Sequence, residues 1–202
     1  MSSQSARHRQ RRVQAQVAQA DRRRPKEETE EPMQAGAREY PAPPFPKQHQ
    51  SKPGQESQLD PAPMYDAPFY RGSGKLQDKV ALITGDSGIG RAVAILFARE
   101  GAHIAIVYVK DEQPDAEISR KGVEAESRKC ILIAGDVSRQ SFCEKAVART
   151  VKELGSLDIL VNNAAFQVHT SQFEDLTPEH FDETLKTNLY GYFYMAQAAV
   201  KQ

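Results

Sequence analysis

The chain has 202 residues, of which 27 are basic and 27 acidic, so its formal net charge is zero and its length allows one or two domains. Its two cysteines, Cys130 and Cys143, do not form the pattern of a disulfide framework, which favours an intracellular, cytoplasmic protein with free thiols. The histidines and cysteines lack metal-ligand spacing, and no apolar run approaches the roughly 20 residues of a membrane span. The sequence therefore predicts neither a metal site nor insertion in a membrane.

Residues 1–74 differ in composition from the rest of the chain. Ten of the twelve prolines fall before residue 69, and the Val, Leu and Ile residues there are Val13, Val17 and Leu59. Such a segment cannot bury enough apolar surface to offset the entropy lost on ordering. We predict a disordered or loosely docked N-terminal arm over 1–74 and a folded domain over 75–202.

The first 26 residues carry eight basic side chains against one acid, Asp21. A solvated low-complexity tail is the favoured interpretation, because Val13 and Val17 make a poor apolar face. An organellar transit peptide is the alternative, since such peptides are rich in arginine and poor in acids. A nucleic-acid partner is disfavoured, because no aromatic residues are interleaved with the arginines.

From Lys75 onward, short apolar runs alternate with helical periodicity. Four strands are predicted, at 79–84, 102–109, 130–137 and 157–165. Each is followed by a helix, and the first helix closes at Gly101. The alternation predicts an α/β fold, a Rossmann-like doubly wound parallel sheet that is truncated after its fourth strand and the helix that follows.

The apolar spacing also predicts which face of each helix is buried. The last helix should begin at Pro178 with Thr177 as its cap. The faces expected to be buried in the first, third and last helices are Ile89, Val93, Leu96 and Phe97; Cys143, Val147, Val151 and Leu154; and Phe181, Leu185, Leu189, Tyr192 and Ala196. A weaker helix is expected at about Asp115–Ser127.

Three glycines lie between the first strand and its helix, in "ITGDSGIGRAVA" (Ile83–Ala94). Glycines at such a junction allow a tight turn, a close approach of the backbone to a diphosphate, and close packing of helix on strand. The helix start then offers unpaired N–H groups and a positive dipole end to an anion. The alternative is a tight strand-to-helix turn that binds nothing.

Four spaced stretches, "TGDSGIG", "GDV" at 135–137, "NNAA" at 162–165 and "KTNLYG" at 186–191, resemble the short-chain dehydrogenase/reductase family. The arm stretches "QSKPGQESQLDPAP" and "YRGSGKLQDKVALITG" resemble a subgroup with bacterial stress-associated oxidoreductases and plant glucose and ribitol dehydrogenase homologues. The resemblance implies hydride transfer, dependent on NAD or NADP, between an alcohol and a carbonyl. The implied substrates are small carbonyls, polyols or sugars.

The resemblance also implies roles for individual residues. Asn188 corresponds to the asparagine of the catalytic group, which helps to hold a proton-relay water. The residues implied to bind the cofactor are Gly85, Ser87, Gly88, Ile89 and Gly90 around the diphosphate, Asp136 and Val137 at the adenine, and Asn162, Ala164 and Tyr108. In this assignment Asn162 braces the sheet, Ala164 follows the ribose, and Tyr108 ends the strand that selects the cofactor. The alternative is that Asp136 and Asn162 only cap turns and that Asn188 faces solvent.

The choice between NADP and NAD stays open. An acid at the end of the second strand would bind the ribose 2′-hydroxyl, whereas a basic residue would favour a 2′-phosphate. Tyr108 occupies that position, while Lys110 could reach a phosphate and Asp111 a ribose.

Two departures from the family pattern bear on activity. Gly85 and Gly88 enclose two residues where the family has three, which should displace the turn and weaken binding. No tyrosine precedes a lysine by four positions, so the general acid and the lysine that lowers its pKa are missing. We expect the chain as written to be inactive; the alternative function is a catalytically inactive nucleotide-binding or heterodimerising module. In the complete form, the last helix, with Phe193 and Met195, would join copies into a homo-oligomer.

Overall fold

The computed structural model describes residues 6–22 and 40–202 of the chain. One parallel sheet has its strands in the order β3-β2-β1-β4, and these strands are Val80–Thr84 (β1), His103–Tyr108 (β2), Cys130–Ala134 (β3) and Ile159–Val161 (β4). Leu82 lies opposite Ala105 of β2 and Leu160 of β4. The predicted α/β fold with a parallel sheet is confirmed, although each strand is shorter than its apolar run.

The helices are Ala6–Asp21 (α1), Gly88–Arg99 (α2), Gln113–Ala125 (α3), Gln140–Leu154 (α4), Pro178–Leu185 (α5) and Gly191–Ala199 (α6). A π-helical turn, Lys186–Tyr190, joins α5 to α6. At the start of α5, Thr177 Oγ1 accepts a hydrogen bond from His180 N at 3.2 Å, so the predicted cap is confirmed.

The sheet is covered on both faces, as a doubly wound fold requires. Ala81 and Ile83 of β1 belong to a core cluster with residues of α2 and α3, whereas Leu82 packs in a second cluster with Cys143 of α4 and Met195 of α6. Successive residues of a strand point to opposite faces, so one short strand contributes to both clusters. Since both faces are covered, β1 is a continuous buried run.

Two predicted helix faces were wrong in part, although Val93 and Phe97 of α2 pack against a core cluster as expected. In α2, Ile89 is 75% exposed, and the buried residues are Gly90, Arg91, Ala94, Ile95 and Ala98. In the last helical segment, Phe181 and Leu189 are exposed, and the buried positions are His180, Glu183, Thr187, Gly191, Met195 and Ala198. Small residues and charged residues with buried partners form these faces, and a search for large apolar side chains overlooks both kinds. The prediction for Cys143 and Val147 is confirmed.

The described parts of the arm lie against the domain. The side chains of Val13 and Val17 in α1 are buried, although we expected them to make a poor apolar face. At the junction of arm and domain, the backbone N–H groups of Ser73 and Lys75 each donate to the Glu100 carboxylate at 2.9 Å. Of the two expected states of the arm, disordered or docked, the docked state describes these segments. The domain boundary at residue 75 stays a prediction. The interpretations of residues 1–5 and 23–39 fall outside the described residues.

Within the described ranges, no helix combines the length and the apolar character needed to cross a bilayer.

Candidate functional site

A cleft of about 270 Å³ opens where β1, β2 and β3 end at their carboxyl termini. Open parallel sheets bind ligands in this position. The predicted site residues that line the cleft are Gly85, Ser87, Ile89, Tyr108, Asp136, Val137 and Ala164. Residues far apart in the sequence are therefore brought together around one cavity.

The glycine turn follows β1 and leads directly into α2. Gly85 and Gly88 have φ values of +91° and +53°, which favour glycine because it lacks a Cβ. A Cβ on Gly90 would lie 2.2 Å from the carbonyl oxygen of Gly85, so only glycine lets the helix start pack this closely on the strand end. Among the three glycines of the turn, Gly85 thus presents backbone without a side chain to the cleft.

Four of the predicted residues do not line the cleft: Gly88, Gly90, Asn162 and Asn188. In the π-helical turn, Asn188 Oδ1 accepts from Phe166 N at 2.8 Å and Nδ2 donates to Phe166 O at 2.9 Å. Asn162 Nδ2 donates to the carbonyl oxygen of Tyr192 in α6 at 3.3 Å. Both asparagines therefore fix the loop after β4 to the helices, and their roles toward cofactor or water stay predictions.

The same loop is also held from β1 by a residue that the sequence analysis missed. Thr84 Oγ1 accepts from the backbone N–H groups of Asn163 and Ala164, at 2.9 and 3.0 Å. Asn163 itself lines the cleft and lies close to Gly85. Asn163 lies in the "NNAA" stretch, and that position was a signal that could have identified it as a cleft residue.

Two acidic side chains, Asp86 and Glu112, line the cleft and were also missed. Asp86 is 1% exposed, and its Oδ2 has no hydrogen-bond partner among the residues that the structure describes. Burial, reinforced by the nearby charge of Glu112, raises the pKa of Asp86 to about 8. Burial likewise raises the pKa of Glu112 to about 7. At neutral pH Asp86 is therefore mostly protonated and Glu112 is only partly ionised, so this wall of the cleft carries less negative charge than its composition suggests.

Comparison with known proteins agrees with this geometry. A family model described as enoyl-(acyl carrier protein) reductase matches residues 83–202, more than half of the chain. A crystal structure of a short chain dehydrogenase from Burkholderia cenocepacia J2315 in complex with NADP is similar, with a TM-score of 0.60 and 38% identity. The similarity covers 63% of this chain and 52% of that one. The chain belongs to the short-chain dehydrogenase/reductase family.

Similar members of this family include two curated proteins. General stress protein 39 of Bacillus subtilis is 55% identical over 158 residues, which cover 77% of this chain and 55% of that protein. Glucose and ribitol dehydrogenase of Daucus carota is 43% identical over 162 residues, 77% of this chain and 56% of that protein. The chain thus spans about half the length of these relatives.

Helix α1 lies over one end of the cleft. Arg9 Nη2 donates to Asp136 Oδ2 at 2.8 Å, and its Nε donates to Glu183 Oε2 at 2.6 Å. Burial would raise the pKa of Asp136, but hydrogen bonds from Ser138 and Arg9 outweigh it and lower that pKa. The side chain implied to recognise adenine is therefore already paired with an arginine of the arm.

Nothing in the sequence indicated where α1 docks. Arg7 forms a further ion pair with Asp111 at 2.5 Å, so the acid that could have reached a ribose has a partner in the arm as well. Ala6 and Gln10 line the cleft beside these pairs.

The residues that line the cleft suit a dinucleotide, but the cleft is small for one. The bare glycine turn beside the first turn of α2 is a cradle that suits a diphosphate. The cavity of about 270 Å³ is slightly smaller than the roughly 300–1,000 Å³ typical of small-molecule sites. Because α1 covers the end near Asp136, a whole dinucleotide requires α1 to shift.

Proposed function

We propose that this chain binds NADP or NAD in the cleft at the carboxyl ends of the strands. The observation that carries the proposal is the glycine turn, where a Cβ on Gly90 would meet the Gly85 carbonyl at 2.2 Å. Gly85, Ser87 and Ile89 would hold the diphosphate, with Gly88 and Gly90 shaping the turn. Support also comes from the similar Burkholderia structure, which is a complex with NADP.

The adenosine half would lie toward β2 and β3. Asp136 and the Val137 backbone would hold the adenine once Arg9 has moved, and Ala164 would lie along a ribose. Tyr108 is buried beneath this end and donates its phenol hydrogen bond to Gln113, so it shapes the floor. At the adenosine end, these residues would contribute hydrogen bonds to the cofactor and would exclude water from it.

We further propose that the complete protein transfers hydride between an alcohol and a carbonyl, with small carbonyls, polyols or sugars as substrates. The bound nicotinamide would supply the hydride acceptor or donor. The name of the carrot relative, glucose and ribitol dehydrogenase, supports the polyol and sugar classes. Asn188 would belong to the catalytic group, and its two bonds to Phe166 would keep the substrate-side loop in place. The proposed location is cytoplasmic, with an organelle as the alternative.

The 202 residues themselves contain no Tyr-x-x-x-Lys, so we propose that this chain binds dinucleotide without turnover. One observation favours the alternative function, a nucleotide-binding module that pairs with a relative. The outer face of the last helical segment exposes Leu189, Tyr190 and Phe193, an apolar surface suited to another subunit. In the complete protein the same face would serve a homo-oligomer.

The test is calorimetric titration with NADPH and NADH of the wild type and two exposed-residue variants. Ile89→Asp adds a negative charge beside the proposed diphosphate, and we expect roughly tenfold weaker binding, about 1.4 kcal/mol. Val200→Asp makes the same change at another exposed aliphatic residue and should bind like the wild type. Equal affinity of the two variants, or no binding by the wild type, would reject the site. Turnover of aldehydes or polyols would reject the proposed inactivity.

A further inference from the structure

A buried ion-pair network contacts the glycine turn through residues that do not line the cleft. Arg91 of α2 is 2% exposed and donates from Nη1 to Glu56 Oε1 at 2.8 Å and from Nη2 to Asp115 Oδ1 at 3.0 Å. Glu56 comes from the arm and Asp115 from α3, and both are buried as well. The network therefore joins three segments of the chain around one guanidinium.

The network holds both ends of the short glycine turn. At one end, Arg91 Nε donates to Ser119 Oγ at 2.9 Å, and the Ser119 hydroxyl donates to the backbone carbonyl of Asp86. At the other end, Glu56 Oε2 accepts from the backbone N–H of Gly88, the first residue of α2. One arm carboxylate thus contacts the turn directly at Gly88 and indirectly, through Arg91, at Asp86.

The arm segment that carries Glu56 is itself fixed to the domain. Glu56 N donates to Asp115 Oδ2 at 2.7 Å, and Ser57 N donates to Asp115 Oδ1 at 3.3 Å. Because Asp115 also pairs with Arg91, its carboxylate ties the arm to α2 and α3 together. Asp115 therefore fixes the backbone at Glu56, and Arg91 fixes the Glu56 carboxylate.

Glu56 acts on the cleft only through the turn. Neither Glu56 nor Gly88 lines the cleft, whereas Gly85, Asp86, Ser87 and Ile89 do. The Gly88 N–H therefore donates to the arm, whereas its neighbours Ser87 and Ile89 line the cleft. Loss of the Glu56 carboxylate removes the charged acceptor of the Gly88 N–H and of Arg91 Nη1, while Arg91 keeps its pair with Asp115, so the turn should be freer to move.

We propose that Glu56 is a positioning residue for the diphosphate half of the dinucleotide site. This inference rests on the proposed function, and it assigns the arm a part in cofactor binding. The turn has two residues between its first two glycines, and the arm holds that turn in the geometry that the ligand requires. The adenosine half, formed by Asp136 and Val137, lies at other strand ends and should not depend on Glu56.

The test compares Glu56→Gln with Asp66→Asn in the full chain. Asp66 is a matched control, because it is another arm acid paired with an arginine of α2, Arg99 at 3.1 Å, but at the far end of that helix. Glu56→Gln should weaken binding of ADP-ribose about tenfold, as expected for a lost charge-assisted hydrogen bond. Its affinity for adenosine, which has no phosphate, should match the wild type, and Asp66→Asn should leave both affinities unchanged.

A purely structural role would weaken both ligands equally, and that result would overturn the proposal, as would unchanged ADP-ribose binding. Amide hydrogen exchange provides a readout that needs no ligand. Glu56→Gln should accelerate exchange at Gly88 and Arg91, measured at a temperature where thermal melts show both variants folded, and Asp66→Asn should not. If the wild type binds no ligand, the proposed function fails, and unchanged exchange in Glu56→Gln would separately reject its hold on the turn.

Discussion

Replacing Arg9 with alanine should make the nucleotide cleft easier to fill. Arg9 extends from α1 and pairs with Asp136 and Glu183, at 2.8 and 2.6 Å. Asp136 is the side chain implied to recognise adenine, so ligand and arm compete for the same carboxylate. With Arg9→Ala, Asp136 Oδ2 loses its hydrogen-bonded arginine and keeps the longer ion pair with Arg139, at 4.0 Å.

The size of the effect follows from the bond that the ligand must break. A hydrogen bond to a charged group contributes about 1.5 to 3 kcal/mol. Arg9 and Asp136 retain 20% and 19% side-chain exposure, so solvent screens the pair and the lower value applies. When only a fraction of the protein has Asp136 free to bind, the apparent affinity for the ligand is reduced by that fraction. About 1.5 kcal/mol corresponds to roughly tenfold tighter binding in the variant.

The assay is fluorescence titration with NADPH of the wild type, Arg9→Ala and Arg12→Ala. Arg12 is an exposed arginine of the same helix, so its replacement removes the same charge without opening Asp136. We expect Arg9→Ala to bind about tenfold more tightly than Arg12→Ala, which should resemble the wild type. Equal affinities in the two variants would refute competition by the arm. Weaker binding by Arg9→Ala would show instead that Arg9 contacts the ligand.

Three further predictions concern pH, backbone packing and the core. Binding of NADH should weaken as the pH rises through about 7 to 8, because Asp86 and Glu112 then become charged beside the diphosphate; calorimetry should show a flatter pH profile for Asp86→Asn. Gly90→Ala should lower the free energy of unfolding by about 1 to 3 kcal/mol in urea denaturation, since its Cβ would overlap the Gly85 carbonyl; unchanged stability would contradict that contact. Met195→Ala should cost about 2 to 5 kcal/mol, whereas Phe193→Ala, at an exposed position, should cost less than about 0.5; the reverse order would contradict the observed face of α6.

The order of strands and helices along the chain could be predicted because apolar runs and turn residues are local signals. The run that becomes β1 is buried on both faces, and a continuous apolar stretch is typical of such strands. Thr177 and Pro178 marked the start of α5 because a side-chain cap and a proline act within one turn. Local chemistry thus sufficed for the sheet and most helix positions.

The buried charges could not be predicted from local patterns. Arginine is rarely fully buried unless paired, and one of the two carboxylate partners of Arg91 is Glu56, which lies in a segment with little apolar content. Docking of α1 likewise depends on Glu183 and Asp136, more than a hundred residues along the chain. The family resemblance identified seven residues that line the cleft, but it gave no indication that an arm would contact the same turn and the same carboxylate.

The most direct test of the central claim is a titration of the isotope-labelled chain with NADH, followed by amide resonances in two-dimensional NMR spectra. We expect saturable shifts at Gly85–Ile89 in the glycine turn and at Asp136 and Val137, together with shifts in α1 as it moves from the cleft. Unchanged spectra at saturating NADH, or shifts confined to residues outside the cleft, would contradict dinucleotide binding at this site.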